Sequence, residues 1–266
     1  LLLKILKPRY VSIERLQEQL LSRLNGDMSD LVIFEKGTDS TIFVEYTDYI
    51  MRNHKKLQAV ELEDAIKKLE LNPDFETRKL LITALGYIAD VKAYRALEKI
   101  VNNDIDDLNG WAVFAFQQSR ALIEDSLSDK SRFYIFSGLG GKANLLRYFA
   151  VAYTEDKALL TDFQKERFRK ELEYEAAEKE AEIEEVVFYD YFVTFKFLLS
   201  IRHIAFDFID NVIDNVNELG GKFSEETIVA TDKIYSEDEI RRAIDGELLE
   251  GEVDMDDNND MFSYLD

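Results

Sequence analysis

DFETRKLLITALGYIADVKAYRALEKIVNND, residues 74–104, reads as two short helices joined by a tight turn. Asn72-Pro73 ahead of it favours a turn and cannot continue a helix. Asp74 is placed to cap the first turn of the first helix. Leu80, Leu81, Ala84, Leu85 and Ile88 recur at the i, i+3/i+4 spacing of one helix face. Asp90 closes the turn, and Val91, Tyr94, Leu97, Ile100 and Val101 mark the second helix. Two short antiparallel helices cannot bury both apolar faces alone, so the pattern calls for a neighbouring pair stacked alongside.

Thr77-Arg78, Ala84-Leu85-Gly86, Ile88, Asp90, Ala93 and Leu97 together resemble a HEAT repeat of the short, phycobilisome-lyase-like type. Residues 107–126 are similar to a degenerate next helix that lacks the Ala-Leu-Gly, and Glu61–Leu71 to the second helix of a preceding repeat. The resemblance implies an all-α fold, an α-solenoid of HEAT-like hairpins. It implies a binding surface and no active site.

Working outward, the chain reads as four regions. Residues 1–58 hold a helix over Tyr10–Asn25. They also hold a small hairpin near 31–46, where LVIF and TIFVEY flank EKGTDS, although either run also fits a helix. Residues 59–153 hold the HEAT-like segment, a short apolar run at Ser131–Ser137 that reads as a strand, and a helix over Ala143–Tyr153. Residues 154–235 contain no Gly or Pro before Leu219, which predicts long helices broken near Tyr189–Asp190. Residues 236–266 form an acidic tail. A chain that opens at Leu1 rather than at Met reads as a truncated or processed start.

Composition supports a folded body: 46% of the 266 residues are hydrophobic, enough for a sizeable core. Cys is absent, so the sequence offers no disulfide, thiolate metal site or cysteine nucleophile. The opening LLLKILKPRY is too short an apolar run for a signal core or a membrane span. These features predict a cytoplasmic protein without membrane contact. Net charge is −21. The last 31 residues carry twelve acids against Arg241 and Arg242, a net of −10. Such a field repels phosphate backbones, and the local basic stretch Lys165–Lys170 (KERFRK) reads as i, i+4 partners of neighbouring glutamates, so direct nucleic-acid binding is not expected.

Candidate chemistry is sparse. LGGK occurs at 139–142 and again at 219–222. Gly140, Gly141 and Lys142 precede an expected helix and are the candidate anion cradle. They depart from a phosphate loop at Phe136 and Ala143. The second copy reads as a helix C-cap. Glu171, Glu175, Glu178 and Glu182 share a helix face, but neither His54 nor His203 has a Glu three residues before it, so no metal or cofactor site is assigned. No Gly-x-Ser-x-Gly elbow is present.

The expected function is therefore a non-catalytic, protein-binding scaffold. Trp111 and Phe114 are its candidate anchors, with the inter-repeat core as the competing reading for Trp111. In the tail, Met261, Phe262, Tyr264 and Leu265 are candidate docking residues. The alternatives are an acidic inhibitor of a basic site on another protein, and an enzyme or binder for an anionic small molecule.

Overall fold

A computed structural model describes residues 31–35, 37, 40–103, 108–127, 133–135 and 137–246. The expected N-terminal helix and the tail residues Met261, Phe262, Tyr264 and Leu265 lie outside the described residues.

Five helices follow a short first strand, β1 (Leu31–Ile33): α1 (Ser40–Gln58), α2 (Leu62–Glu70), α3 (Phe75–Gly86), α4 (Val91–Asn103) and α5 (Asn109–Ser126). The pair α3–α4 forms where periodicity places it. Asp74 caps α3, accepting from the Thr77 amide at 3.1 Å. The solenoid does not form. In a solenoid each repeat touches only its neighbours, whereas α1 returns to pack on both α3 and α5. The helices thus close into a bundle around α5, which buries residues on nearly all sides. Within it the Trp111 indole donates to Thr83 Oγ1 at 2.8 Å, and the Tyr46 hydroxyl donates to Gln118 Oε1 at 2.8 Å. Burial pushes the Tyr46 hydroxyl pKa well above its ordinary value.

The expected hairpin at 31–46 is also corrected. β1 pairs in parallel with β2 (Phe133–Ile135), while residues 40–46 begin α1. Parallel neighbours need a long crossover, and here the whole bundle is that crossover. Leu31 and Ile33 of β1 are buried in the core of the second unit, so both ends of the bundle are tied to it.

That second unit overturns the all-α assignment. It comprises β3 (Gly141–Lys142), β4 (Leu145–Tyr153), α6 (Asp162–Glu178), β5 (Glu182–Phe188), β6 (Phe192–Ser200), α7 (Ala205–Glu218) and β7 (Ile228–Ala230). The sheet order is β7-β4-β6-β5, every pairing antiparallel, with β3 extending the β4 edge. From β4 onward this is the β-α-β-β-α-β connectivity of the ferredoxin-like fold. The expected helix at 143–153 is strand β4, and the expected long C-terminal helix is β6, a turn and α7. Aromatic and β-branched residues in FVTFKFLLS favour an extended chain. Val193, Phe195, Phe197 and Leu199 point to the inner face at period two.

Helices α6 and α7 cover that inner face. Thr161 and Gln164 start α6 with a reciprocal capping box. Phe168, Leu172 and Ala176 then repeat at i, i+4, i+8 against the sheet. Phe168 meets the rings of Phe195 and Phe223 at 5.5 and 5.2 Å. Tyr148, Phe197 and Phe208 stack in series at 5.3 and 4.8 Å. Each such buried ring contributes about 1.5–3 kcal/mol. The exit of α6 is strained. Ala181 N–H bonds back to the Ala176 carbonyl at 2.8 Å, which puts Glu180 at φ +53, where glycine is usual.

Two variants test this geometry. Glu180→Gly should stabilise the protein by about 1 kcal/mol, read as a melting temperature higher by about 2–4 °C. Thr83→Val should strand the buried Trp111 N–H and destabilise by about 1–3 kcal/mol. Thermal denaturation of both checks these values.

Candidate functional site

β4 and β6 are buried on both faces, and their outer face decides what the sheet unit presents. Arg147, Phe149, Val151 and Tyr153 of β4 alternate onto that face, as do Phe192, Thr194, Lys196 and Leu198 of β6. The face has two halves and an open end.

The middle half is an ion-pair lattice. Arg147 donates from Nε and Nη2 to the two carboxylate oxygens of Glu184 at 2.6 and 2.8 Å, and from Nη1 to the Leu139 carbonyl at 2.7 Å. Lys196 meets Glu185 at 2.9 Å, and Lys142 pairs with Glu182. The bond from Arg147 holds the Glu184 carboxyl below its usual pKa.

The other half is aromatic. Phe149, Val151, Tyr153 and Phe192 cluster with Tyr189, Tyr191 and Tyr235 beneath α8 (Glu237–Ile244), the last helix among the described residues, whose Ile240 is fully buried among them. Ser236 caps α8 in a capping box with Glu239. Bonds from the Ser236 side chain and amide, then from Lys233, pull the Glu239 carboxyl down to about 2.

At the open end lies a cavity of about 330 Å³ lined by Asn144, Leu145, Lys179, Glu180, Ser200, Arg202 and His203. The walls come from the β3–β4 turn, the α6–β5 turn and the β6–α7 turn. Lys179 reaches back to the buried Glu175, at 3.8 Å. The Arg202 guanidinium has no carboxylate partner among the described residues. A larger groove of about 590 Å³ between α6 and α7 contains Arg167 and Lys170. Both are already paired, with Glu171 and Glu166 at 2.7 Å each. The small cavity is lined by two cations, Lys179 (paired with Glu175) and Arg202, and by one carboxylate, Glu180.

Trp111 and Phe114 lie in the bundle interior at 3% and 5% exposure. Gly140 and Gly141 are buried. The Gly140 amide donates to the Ser137 carbonyl at 3.2 Å. A Cβ on Gly140 would lie 2.4 Å from the Glu35 carbonyl oxygen, at a φ of +68. This glycine permits close backbone packing, and its amide is used within the protein. Lys142 sits on the lattice, one turn from the cavity. Among the described residues no group of three or more His, Asp or Glu is placed to hold a metal ion. No helix among them is long and apolar enough to cross a membrane.

Several solved structures match part of the chain, and two of them show the degree of likeness. A crystal structure assigned as a transposase from Deinococcus radiodurans R1 is 16% identical. The match spans 45% of this chain and 97% of that one, at a TM-score of 0.34. A REP-associated tyrosine transposase bound to a REP hairpin is 13% identical, over 44% and 68%, at a TM-score of 0.30. Likeness this distant supports no conclusion about activity. No protein-family model and no curated protein matches the chain.

Three expectations are corrected here. The HEAT-like resemblance finds no matching family model, and the helices it covers belong to a closed bundle. The protein-binding scaffold falls with the solenoid groove it required. Its acidic-inhibitor alternative rested on the acid excess of the whole chain, part of which lies outside the described residues. The exclusion of nucleic acid rested on the net charge of −21 and on there being no clustered basic face to offset it. Lys179 and Arg202 lie 23 positions apart in sequence, and only the fold brings them to one cavity.

Glu239 predicts an acid response of α8. Its folded pKa is depressed, so its contribution is present above the ordinary value of 4.5 and is lost as pH falls toward 2. Helix loss by circular dichroism should begin in that window, and Ser236→Ala should move its onset to higher pH.

Proposed function

We propose that the sheet unit binds the sugar-phosphate backbone of a single nucleic-acid strand, with a phosphate seated in the cavity at the end of β4 and β6. The observation that carries this reading is the convergence of Lys179, Arg202 and His203, with the polar side chains of Asn144 and Ser200, around one cavity. Arg202 offers a planar donor fork suited to phosphate oxygens. Lys179 adds a point charge.

Size favours a single strand. A cavity of about 330 Å³ takes one phosphate and its sugar, whereas a duplex presents a broad convex surface. The net charge of −21 opposes any polyanion at long range. Binding is then local, within about 10 Å at 0.1 M salt, and of modest affinity. The cytoplasmic placement expected from the sequence suits such a ligand and stays part of this proposal.

Anisotropy of a fluorescein-labelled oligo(dT) at low salt tests it. Two to three phosphate contacts give a slope of about −1.4 to −2 in log K against log salt. Arg202→Ala should weaken binding about tenfold and reduce that slope by about 0.7. Absence of binding to any single-stranded oligonucleotide at low salt would overturn the reading.

A further inference from the structure

Lys179 lines the cavity with its ammonium tied to a carboxylate, Glu175, that is not part of the lining. Glu175 stands on the last turn of α6, buried where α6 packs against α7. An ionised carboxylate in such a place needs a hydrogen bond and a counter-charge. It has both. Asn211 of α7 donates from Nδ2 to Oε1 at 2.9 Å, and Lys179 Nζ lies 3.8 Å from the same oxygen.

The two members of the pair differ in freedom. The Glu175 side chain is 7% exposed and that of Lys179 is 35% exposed. Burial and the Asn211 bond fix the carboxylate, while the lysine runs from it to the cavity wall. A free lysine side chain is flexible and loses much of that freedom when it meets a ligand. One already anchored loses less. An ammonium has three donors, so one directed at Glu175 leaves others for the cavity.

The backbone serves the same end. Lys179 is the C-cap of α6, and its amide donates to the Glu175 carbonyl at 3.0 Å. Glu180 follows at φ +53, which ends the helix and brings residues 179 and 180 to the lining together. An exposed i, i+4 pair would contribute little. This pair differs because its carboxylate is buried and held from a second helix.

We propose that Glu175 is a positioning residue for the cavity: held by Asn211, it fixes the Lys179 ammonium at the wall, where it meets a bound phosphate without first being ordered. The proposal rests on the phosphate reading of the cavity. Glu175 touches no ligand and acts through Lys179.

The test measures anisotropy of fluorescein-labelled dT12 with the full chain across a salt series, with the folding of each variant checked by thermal melting. Glu175→Gln keeps the side chain's shape and its acceptor for Asn211 but removes the charge that holds Lys179. It should weaken binding about fivefold at 0.1 M salt and reduce the salt slope by about 0.7, the share of one phosphate contact. Lys179→Ala should do the same. The double variant should bind no more weakly than either single one, because the two residues act as a unit. Glu166→Gln removes an equal charge from the exposed pair with Lys170, earlier on the same helix, and should leave the slope unchanged.

A Glu175 with a structural role alone would lower the melting temperature and leave the slope where it was, which would overturn the positioning. Tighter binding by Glu175→Gln would also refute it, since the carboxylate would then be competing with phosphate for Lys179. In either case the cavity reading stands if Arg202→Ala still weakens binding. Absence of dT12 binding to the wild-type chain would sink both. Should Glu175→Gln fail to fold, Glu175→Asp keeps the charge and withdraws it by one methylene from Lys179. Its slope should fall in the same direction, and an unchanged slope would count against the positioning.

Discussion

The nine-residue antiparallel ladder between β4 and β6, from Leu145 opposite Ser200 to Tyr153 opposite Phe192, is the constraint on which the sheet unit depends. Both strands are covered on both faces, so their register decides two surfaces at once. A slip of one residue would turn Phe195 and Phe197 away from α6 and α7 and put Lys196 in their place. The register also sets Arg147 within reach of Glu184 across the intervening strand. It places Leu145 and Ser200 side by side at the cavity mouth. Core, lattice and cavity follow from one pairing.

The helical bundle depends on the second unit in a different way. Its ends leave and return through two parallel strands, and β1 buries Leu31 and Ile33 in the sheet unit's core. A bundle closed at its base in this way has no reason to grow by repetition. α5 can then be buried nearly all round, with Trp111 hydrogen-bonded inside it rather than presented at a surface.

Legibility differed sharply along the chain. The α3–α4 pair was readable because Asn72-Pro73, the Asp74 cap and the apolar period all agree locally. The step from that pair to a solenoid failed because a helical hairpin does not say whether its neighbour stacks beside it or folds back over it. Phe192, Phe195 and Leu199 fit helical spacing because β6 is apolar on both faces, and a doubly buried strand loses its alternation. Length and residue type were the surviving signal. A run of nine residues rich in Phe, Val and Thr favours a strand over a helix. The break placed near Tyr189–Asp190 coincides with the β5–β6 turn. For the site, Lys142 was singled out on its glycines, yet those glycines serve close backbone packing. The cavity had no linear signature, since Lys179 stands 23 positions before Arg202.

By itself the sequence determined the local elements that carry their own start and stop chemistry: the capped helices, the glycine exit of α7, and a large acid excess. These are set by neighbours within one helical turn, and covalent order supplies such neighbours directly. Only the tertiary structure decided that the helices close into a bundle. It alone decided that the chain's second half is a sheet, and that Lys179 joins Arg202 and His203 in the lining of one cavity. Those outcomes depend on pairings between segments tens of residues apart, where hydrogen-bond register and burial rather than sequence proximity choose the partner.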